Sequence, residues 1–143
     1  MGDYSDIRTF SLPDGWEILV GRTAIANDRL SLKIGRPMDF WFHVAGMPGS
    51  HVIARHPDHP EACPKIVKRI AGGLAAFYSK AKNSSKAVVH FSTCKQVSKQ
   101  SGMPAGKVLL RRYEAFNVPP LDPQTFLSDD PLAKEKPGNA SFA

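Results

Sequence analysis

Residues 39–55 read DFWFHVAGMPGSHVIAR. Apolar residues recur at every second position, and in a strand successive side chains point to opposite faces. Phe40, Phe42 and Val44 then share one face, while Asp39, Trp41 and His43 share the other. The first set suits a core. The second is aromatic and polar together, which suits contact with a ligand. AGMPGS, residues 45–50, carries the Gly and Pro that punctuate a chain. Residues 51–55 then form a short second strand. A strand–turn–strand unit in mid-chain predicts a sheet.

Upstream, apolar runs at 8–12 and 16–20 flank Pro13-Asp14-Gly15, the pattern of a hairpin. Residues 23–35 fit two periods. Leu30, Leu32 and Ile34 alternate, yet Ala26, Leu30 and Ile34 also lie on one helical face. The segment's length, and Gly35 and Pro37 as stop signals, select a helix over 23–35.

Downstream, HPDHPEACP is a loop, and Pro64 suits the first position of a helix over 64–81. Its expected buried stripe is Ile66, Ile70, Leu74 and Phe77. Gly72 and Gly73 lie mid-helix, where each costs about 1 kcal/mol relative to Ala. Close approach of another backbone is the expected reason. Strands follow at 87–91, 94–97, 108–112 and 113–118. The fold class expected is α/β of the α+β kind: a mixed, mostly antiparallel sheet with two main helices, in one domain over residues 1–118. Residues 119–143 hold Pro119, Pro120, Pro123, Pro131 and Pro137 without periodicity, the composition of a mobile tail.

Composition bounds the function. The chain has 143 residues, enough to bury a core, and its 42% hydrophobic content is ordinary for a globular protein. No apolar run approaches the roughly 18 residues of a membrane span, so no membrane partner is expected. The opening MGDYSDIRTF lacks the order of a signal peptide, and Cys63 and Cys94 do not make a disulfide framework. The expected compartment is the cytoplasm. Lys and Arg number 19 against 13 Asp and Glu, a net +6. Asp122, Asp129, Asp130 and Glu135 belong to the tail, so the domain is more basic than the whole. An anionic polymer suits that surface.

Three chemistries compete. A nucleophile would be Ser50 with His43 or His51, but PGSH is not the GxSxG elbow. A metal would use His56, His59 and Cys63, with no fourth ligand evident; solvent-exposed loop histidines are the simpler account. His90, in an apolar strand, reads as a satisfied core or edge histidine. Nucleic acid uses more of the chain at once. Trp41 offers a stacking face. His43 and His51 stack or donate to phosphate and 2′-OH groups. Gly49 and Ser50 offer a tight turn for a phosphate oxygen. Lys80, Lys82 and Lys86 with Asn83 hold backbone.

The chain also resembles the NFACT-R domain, the RNA-binding module of the NFACT proteins, which include ribosome quality-control factors. SLPDGWEILVGR with Asn27-Asp28, DFWFH, PGSHVIAR, AAFYSKAKNSSKAVV and GMPAGKVLLRRYEAF carry the likeness, over roughly residues 8–118. It implies binding of structured RNA, tRNA or rRNA, with the ribosome as a partner and no cofactor. It extends the RNA-contacting set to Arg22, Asn27, Asp28, Asp39, Arg55 and Lys99. Two departures stand out. SKQSGMPAG replaces a lysine-rich stretch, and Ala105 stands where a proline is usual, which weakens that basic contact. Few residues precede the matched region, as in the solitary version of the domain, so the tailing activity of the longer factors is not carried over. The alternatives are an RNA-processing or RNA-modifying enzyme using His43, Ser50 and His51, and a ribosome-associated protein-binding adaptor anchored by Trp41.

Overall fold

The computed structural model describes residues 5–125. The expected tail from residue 126 onward lies outside them. The strands in chain order are β1 (Ile7–Ser11), β2 (Glu17–Gly21), β3 (Phe40–Val44), β4 (Val52–Arg55), β5 (Ala87–Thr93), β6 (Val97–Ser98), β7 (Leu109–Leu110) and β8 (Glu114–Val118). Six of them form a sheet in the order β1-β2-β4-β3-β5-β8, and β6 and β7 form a separate ribbon. Every pairing is antiparallel.

The β1–β2 hairpin turns at Pro13–Gly15. Asp14 and Gly15 there take positive φ of 66° and 88°, which these residue types tolerate at least strain. The helix expected over 23–35 is α1 (Ala24–Arg29) running into a π-helical turn at Leu30–Ile34. Thr23 caps it by accepting the Ala26 N–H at 3.0 Å. Of the strands expected at 94–97 and 108–112, only Val97–Ser98 and Leu109–Leu110 pair, because Cys94–Gln96 is a tight helical turn.

The second helix, α2 (Lys65–Phe77), is shorter than expected and is rotated from its expected face. Of the expected stripe Leu74 is buried, but Ile66 is 59% exposed and Ile70 and Phe77 are only half-buried; Val67, Ala71 and Ala75 face the sheet with Leu74. Small side chains at 71, 72 and 75 let the helix settle close to the strands, and that close fit overrides the stripe of larger residues. A Cβ on Gly72 would lie 2.6 Å from the Phe116 ring; one on Gly73 would lie 2.7 Å from the Leu121 Cβ and 3.2 Å from the Pro119 carbonyl. The backbone approach expected at these glycines is therefore present at Gly73, whose carbonyl accepts the Leu121 N–H at 2.9 Å.

Both faces of the sheet carry a core. On one, α2 covers Phe10, Ile18, Val20, Phe40, Phe42, Val52 and Val89. On the other, α1, the π-helical turn and the β6–β7 ribbon cover Ile7, Leu19, Trp41 and Ile53. That second cover stops short of β5 and β8. There Val88 is 46% exposed, and Ala115 and Asn117 are exposed as well.

Candidate nucleic-acid interface

Where the second cover ends, a groove of about 1010 Å³ opens. Arg22, Asn27, His43, Gly49, Ser50 and His51 line it, together with Tyr78, His90, residues 104–110 and Tyr113. Strand alternation explains the floor. His43 on β3 sits directly across from His90 on β5, and both project on the face opposite α2. Tyr113 lies just before β8, with its ring centroid 4.4 Å from that of His90.

Trp41 does not present a stacking face. It is 1% exposed, which corrects the expectation of an RNA-facing ring. The face opposite Phe40 and Phe42 is a second core and not solvent. The indole Nε1–H donates to Ser31 Oγ at 2.7 Å, and Ser31 Oγ lies 2.7 Å from His51 Nδ1. His51 Nε2 lies 3.1 Å from the Gly106 carbonyl, which can only accept. Nε2 therefore carries the proton, Nδ1 accepts from the Ser31 hydroxyl, and the chain Trp41–Ser31–His51–Gly106 is satisfied with a neutral imidazole. Burial pushes the His51 pKa down to about 4, helped by the neighbouring His43. His43 is shifted down too, by burial and then by His90, against a hydrogen bond with the Gly49 backbone.

Several other expected contacts are likewise occupied inside the protein. Ser50 Oγ donates to the Gly21 carbonyl at 2.7 Å and Ser50 N–H to the Tyr78 carbonyl at 2.9 Å, so this turn is pinned to β2 and to the exit of α2. Asn27 is buried; its Oδ1 accepts the His51 N–H at 3.0 Å and its Nδ2 reaches the Gly49 carbonyl. Asp28 accepts the Gly106 N–H at 3.1 Å and pairs with Lys99 at 3.1 Å. Lys99 also donates to the carbonyls of Pro104 and Lys107, gathering residues 99–107 around its ammonium. Asp39, 1% exposed, pairs with Arg55 at 2.7 Å and accepts the Arg36 N–H, while Arg55 also reaches the Ile34 carbonyl; this pair does not line the groove. Buried Asn27 and Asp39 must find partners, and the nearest are protein; the half-buried Ser50, Asp28, Lys99 and Arg55 are held by the protein too.

Exposed cations sit on and beside the groove, although others such as Lys33, Lys65 and Lys95 lie elsewhere, and the Lys82 ammonium rests over the Phe77 ring at 4.6 Å. Arg22 and Lys107 line the groove and are exposed. Lys80, Lys82, Asn83 and Lys86 are exposed on the loop after α2, which the Gly49–Ser79 bridge and the Lys80 N–H to Pro48 carbonyl bond hold beside the AGMPGS turn. A Cβ on Gly49 would lie 2.7 Å from Ser79 Cβ, so glycine permits this contact. The loop histidines do not gather with Cys63. His56 Nε2 bonds the Asp14 carbonyl at 2.7 Å, with its ring against Trp16. Among the described residues no three His, Cys, Asp or Glu side chains come together to hold a metal.

Residues 7–112 match the family described as the NFACT protein RNA binding domain. The chain belongs to this family. Within the NFACT RNA-binding family it is 34% identical over 105 residues to the Rqc2 homolog RqcH of Streptococcus suis (strain 05ZYH33), covering 73% of this chain and 18% of that protein. It is 32% identical over 117 residues to the Rqc2 homolog RqcH of Bacillus subtilis (strain 168), covering 81% and 20%. The chain thus spans about a fifth of the length of these relatives. A solved structure is also similar: the C-terminal part of the fibronectin/fibrinogen-binding protein from Streptococcus suis, with TM-score 0.75 and 30% identity, covering 85% of this chain and 48% of that one. No helix among the described residues is long and apolar enough to cross a membrane.

Sequence reasoning read His90 only as a satisfied core or edge histidine, and it missed Tyr113 and Ser31 in this NFACT domain. His90 and Tyr113 left a signal. In VVHF the inward Val89 and Phe91 imply an outward His90, and RRY places Tyr113 beside two arginines. Ser31 left none, because one serine on a helix says nothing about which strand lies beneath it.

Proposed function

We propose that this domain binds structured RNA, tRNA or rRNA, across the groove, and that it serves ribosome-associated quality control. The carrying observation is the groove's composition within an RNA-binding family: an aromatic floor of His43, His90 and Tyr113 with exposed Arg22 and Lys107 on the lining, and exposed Lys80 and Lys82 on the loop tied to the AGMPGS turn. Phosphates supply most of the affinity of such a surface, and unpaired or distorted elements supply the selectivity. The RNA-facing set is then the floor of His43, His90 and Tyr113 with Arg22, Lys80, Lys82, Asn83, Lys86 and Lys107. Trp41, His51, Ser50, Asn27, Asp28 and Lys99 shape the groove, and Asp39 with Arg55 braces the chain beside it. Acid–base work by Ser50 and His51 has little support, since the Ser50 hydroxyl donates to Gly21 and both ring nitrogens of His51 are engaged.

Titration of a labelled hairpin RNA across salt tests the reading. Log affinity should fall linearly with log salt, and Lys80→Ala or Lys82→Ala should each reduce the slope by about one. Wild-type behaviour in both variants, with Arg22→Ala also silent, would remove RNA from this face.

A further inference from the structure

The second core ends at β3, and that ending leaves an unusual surface on β5 and β8. Tyr113 is 53% exposed and Val88 46%. Leu109 and Met47, 42% and 37% exposed, line the same groove as Tyr113. Scattered apolar residues on a surface need no explanation, but grouped ones mark an interaction site. Here they adjoin His43 and His90, which face each other across β3 and β5.

The occupant must satisfy two demands. It must offer a flat, weakly polar face to the Tyr113 and His90 rings, whose planes lie 43° apart at 4.4 Å. It must also carry negative charge into a setting with exposed Arg22 and Lys107 on the lining; Arg111, whose Nε donates to Gln96 Oε1, and Arg112 line a separate depression that shares only Tyr113 with the groove. An apolar peptide meets the first demand only, and the minor groove of a continuous duplex meets the second only, because its base faces are hidden in the stack. An unpaired nucleotide meets both. The volume, about 1010 Å³, lies at the upper end of the roughly 300–1,000 Å³ of small-molecule sites.

We propose that the groove receives an unpaired nucleobase, stacked on Tyr113 beside His90, with its flanking phosphates held by the surrounding cations. The proposal rests on the structured-RNA reading and narrows it. The ligand feature is a loop, bulge or splayed end, and the paired rings of His90 on β5 and Tyr113 just before β8 are the platform. Tyr113 is a binding residue here, and His43 forms the inner wall.

The test uses the full chain and two RNAs with the same stem, one closed by a wide unpaired loop with 2-aminopurine at one loop position, the other a blunt duplex. Wild type should prefer the loop RNA and change the 2-aminopurine fluorescence on binding. Tyr113→Ala should weaken loop binding roughly 5- to 150-fold, the range of one lost stacking contact, and leave duplex binding as it was. Tyr113→Phe should keep the affinity, since the ring does the work. Tyr113 is exposed, so these variants should fold, and circular dichroism confirms it. Equal binding of loop and duplex, with Tyr113→Ala silent and a steep salt slope retained, would overturn the base pocket while leaving structured-RNA binding in place. Failure of both RNAs to bind would overturn both.

Discussion

Ser31→Ala removes one oxygen that serves two buried rings. In the native protein it accepts the Trp41 indole N–H and satisfies His51 Nδ1, each at 2.7 Å. Ser31, Trp41 and His51 are 2%, 1% and 1% exposed, so neither ring can turn to bulk water. A buried polar group stripped of its partner costs about 1–3 kcal/mol. Two such groups give a loss of about 2–6 kcal/mol, a large share of the roughly 5–15 kcal/mol that holds a typical domain. Urea unfolding followed by tryptophan fluorescence should show the midpoint falling at unchanged slope. The same change in a His51→Ala background leaves only Trp41 unpaired and should cost less. A double-mutant cycle should therefore show coupling of about 0.5–3 kcal/mol. A Ser31→Ala cost under about 0.5 kcal/mol, or strict additivity with His51→Ala, would refute the hydrogen-bonded chain and the tautomer assigned from it.

The same chain sets an acid dependence. His51 has a folded pKa of about 4 against an ordinary 6.5, so the unfolded state binds the proton first. Stability from this residue is fully present above pH 6.5 and is lost as pH falls toward 4, by about 3 kcal/mol in all; urea midpoints against pH should drop over that window and flatten in His51→Ala relative to wild type. Gly73→Ala should destabilise although alanine favours helix by about 1 kcal/mol, because its Cβ would meet Leu121 at 2.7 Å; faster amide exchange at Leu121 would report the lost contact, and a stabilised variant would refute it. Lys99→Ala should loosen residues 99–107, read as faster amide exchange at Gly106 and Lys107, while the salt slope of RNA binding stays that of wild type; a slope smaller by about one would instead make Lys99 a phosphate contact.

Several local decisions were legible. The Pro13-Asp14-Gly15 turn, the inward set Phe40, Phe42 and Val44, and the helical segment capped by Thr23 all follow from nearest-neighbour chemistry. The face of α2 was legible only in part. Period alone selects Ile66, yet Ile66 is exposed, because the fit of Ala71, Gly72 and Ala75 against the sheet decides how close the helix lies and how it is turned. The site followed the same division. Lys80, Lys82 and Lys86 are exposed as their loop composition implied, while Lys99, no different in kind, is enclosed by three oxygens of its own domain.

By itself the sequence determined that a basic, sheet-forming domain exists and which strand residues share a face, because alternation, turn chemistry and charge balance are properties of short stretches of chain. Only the tertiary structure decided which of those faces meets water. The face of Trp41 is closed by Ser31 and capped by His51's contact with Gly106, 55 positions further along the chain. The face of His90 and Tyr113 stays open because the same cover ends one strand earlier. Exposure depends on what packs from a distance, and distance along the chain carries no local signal.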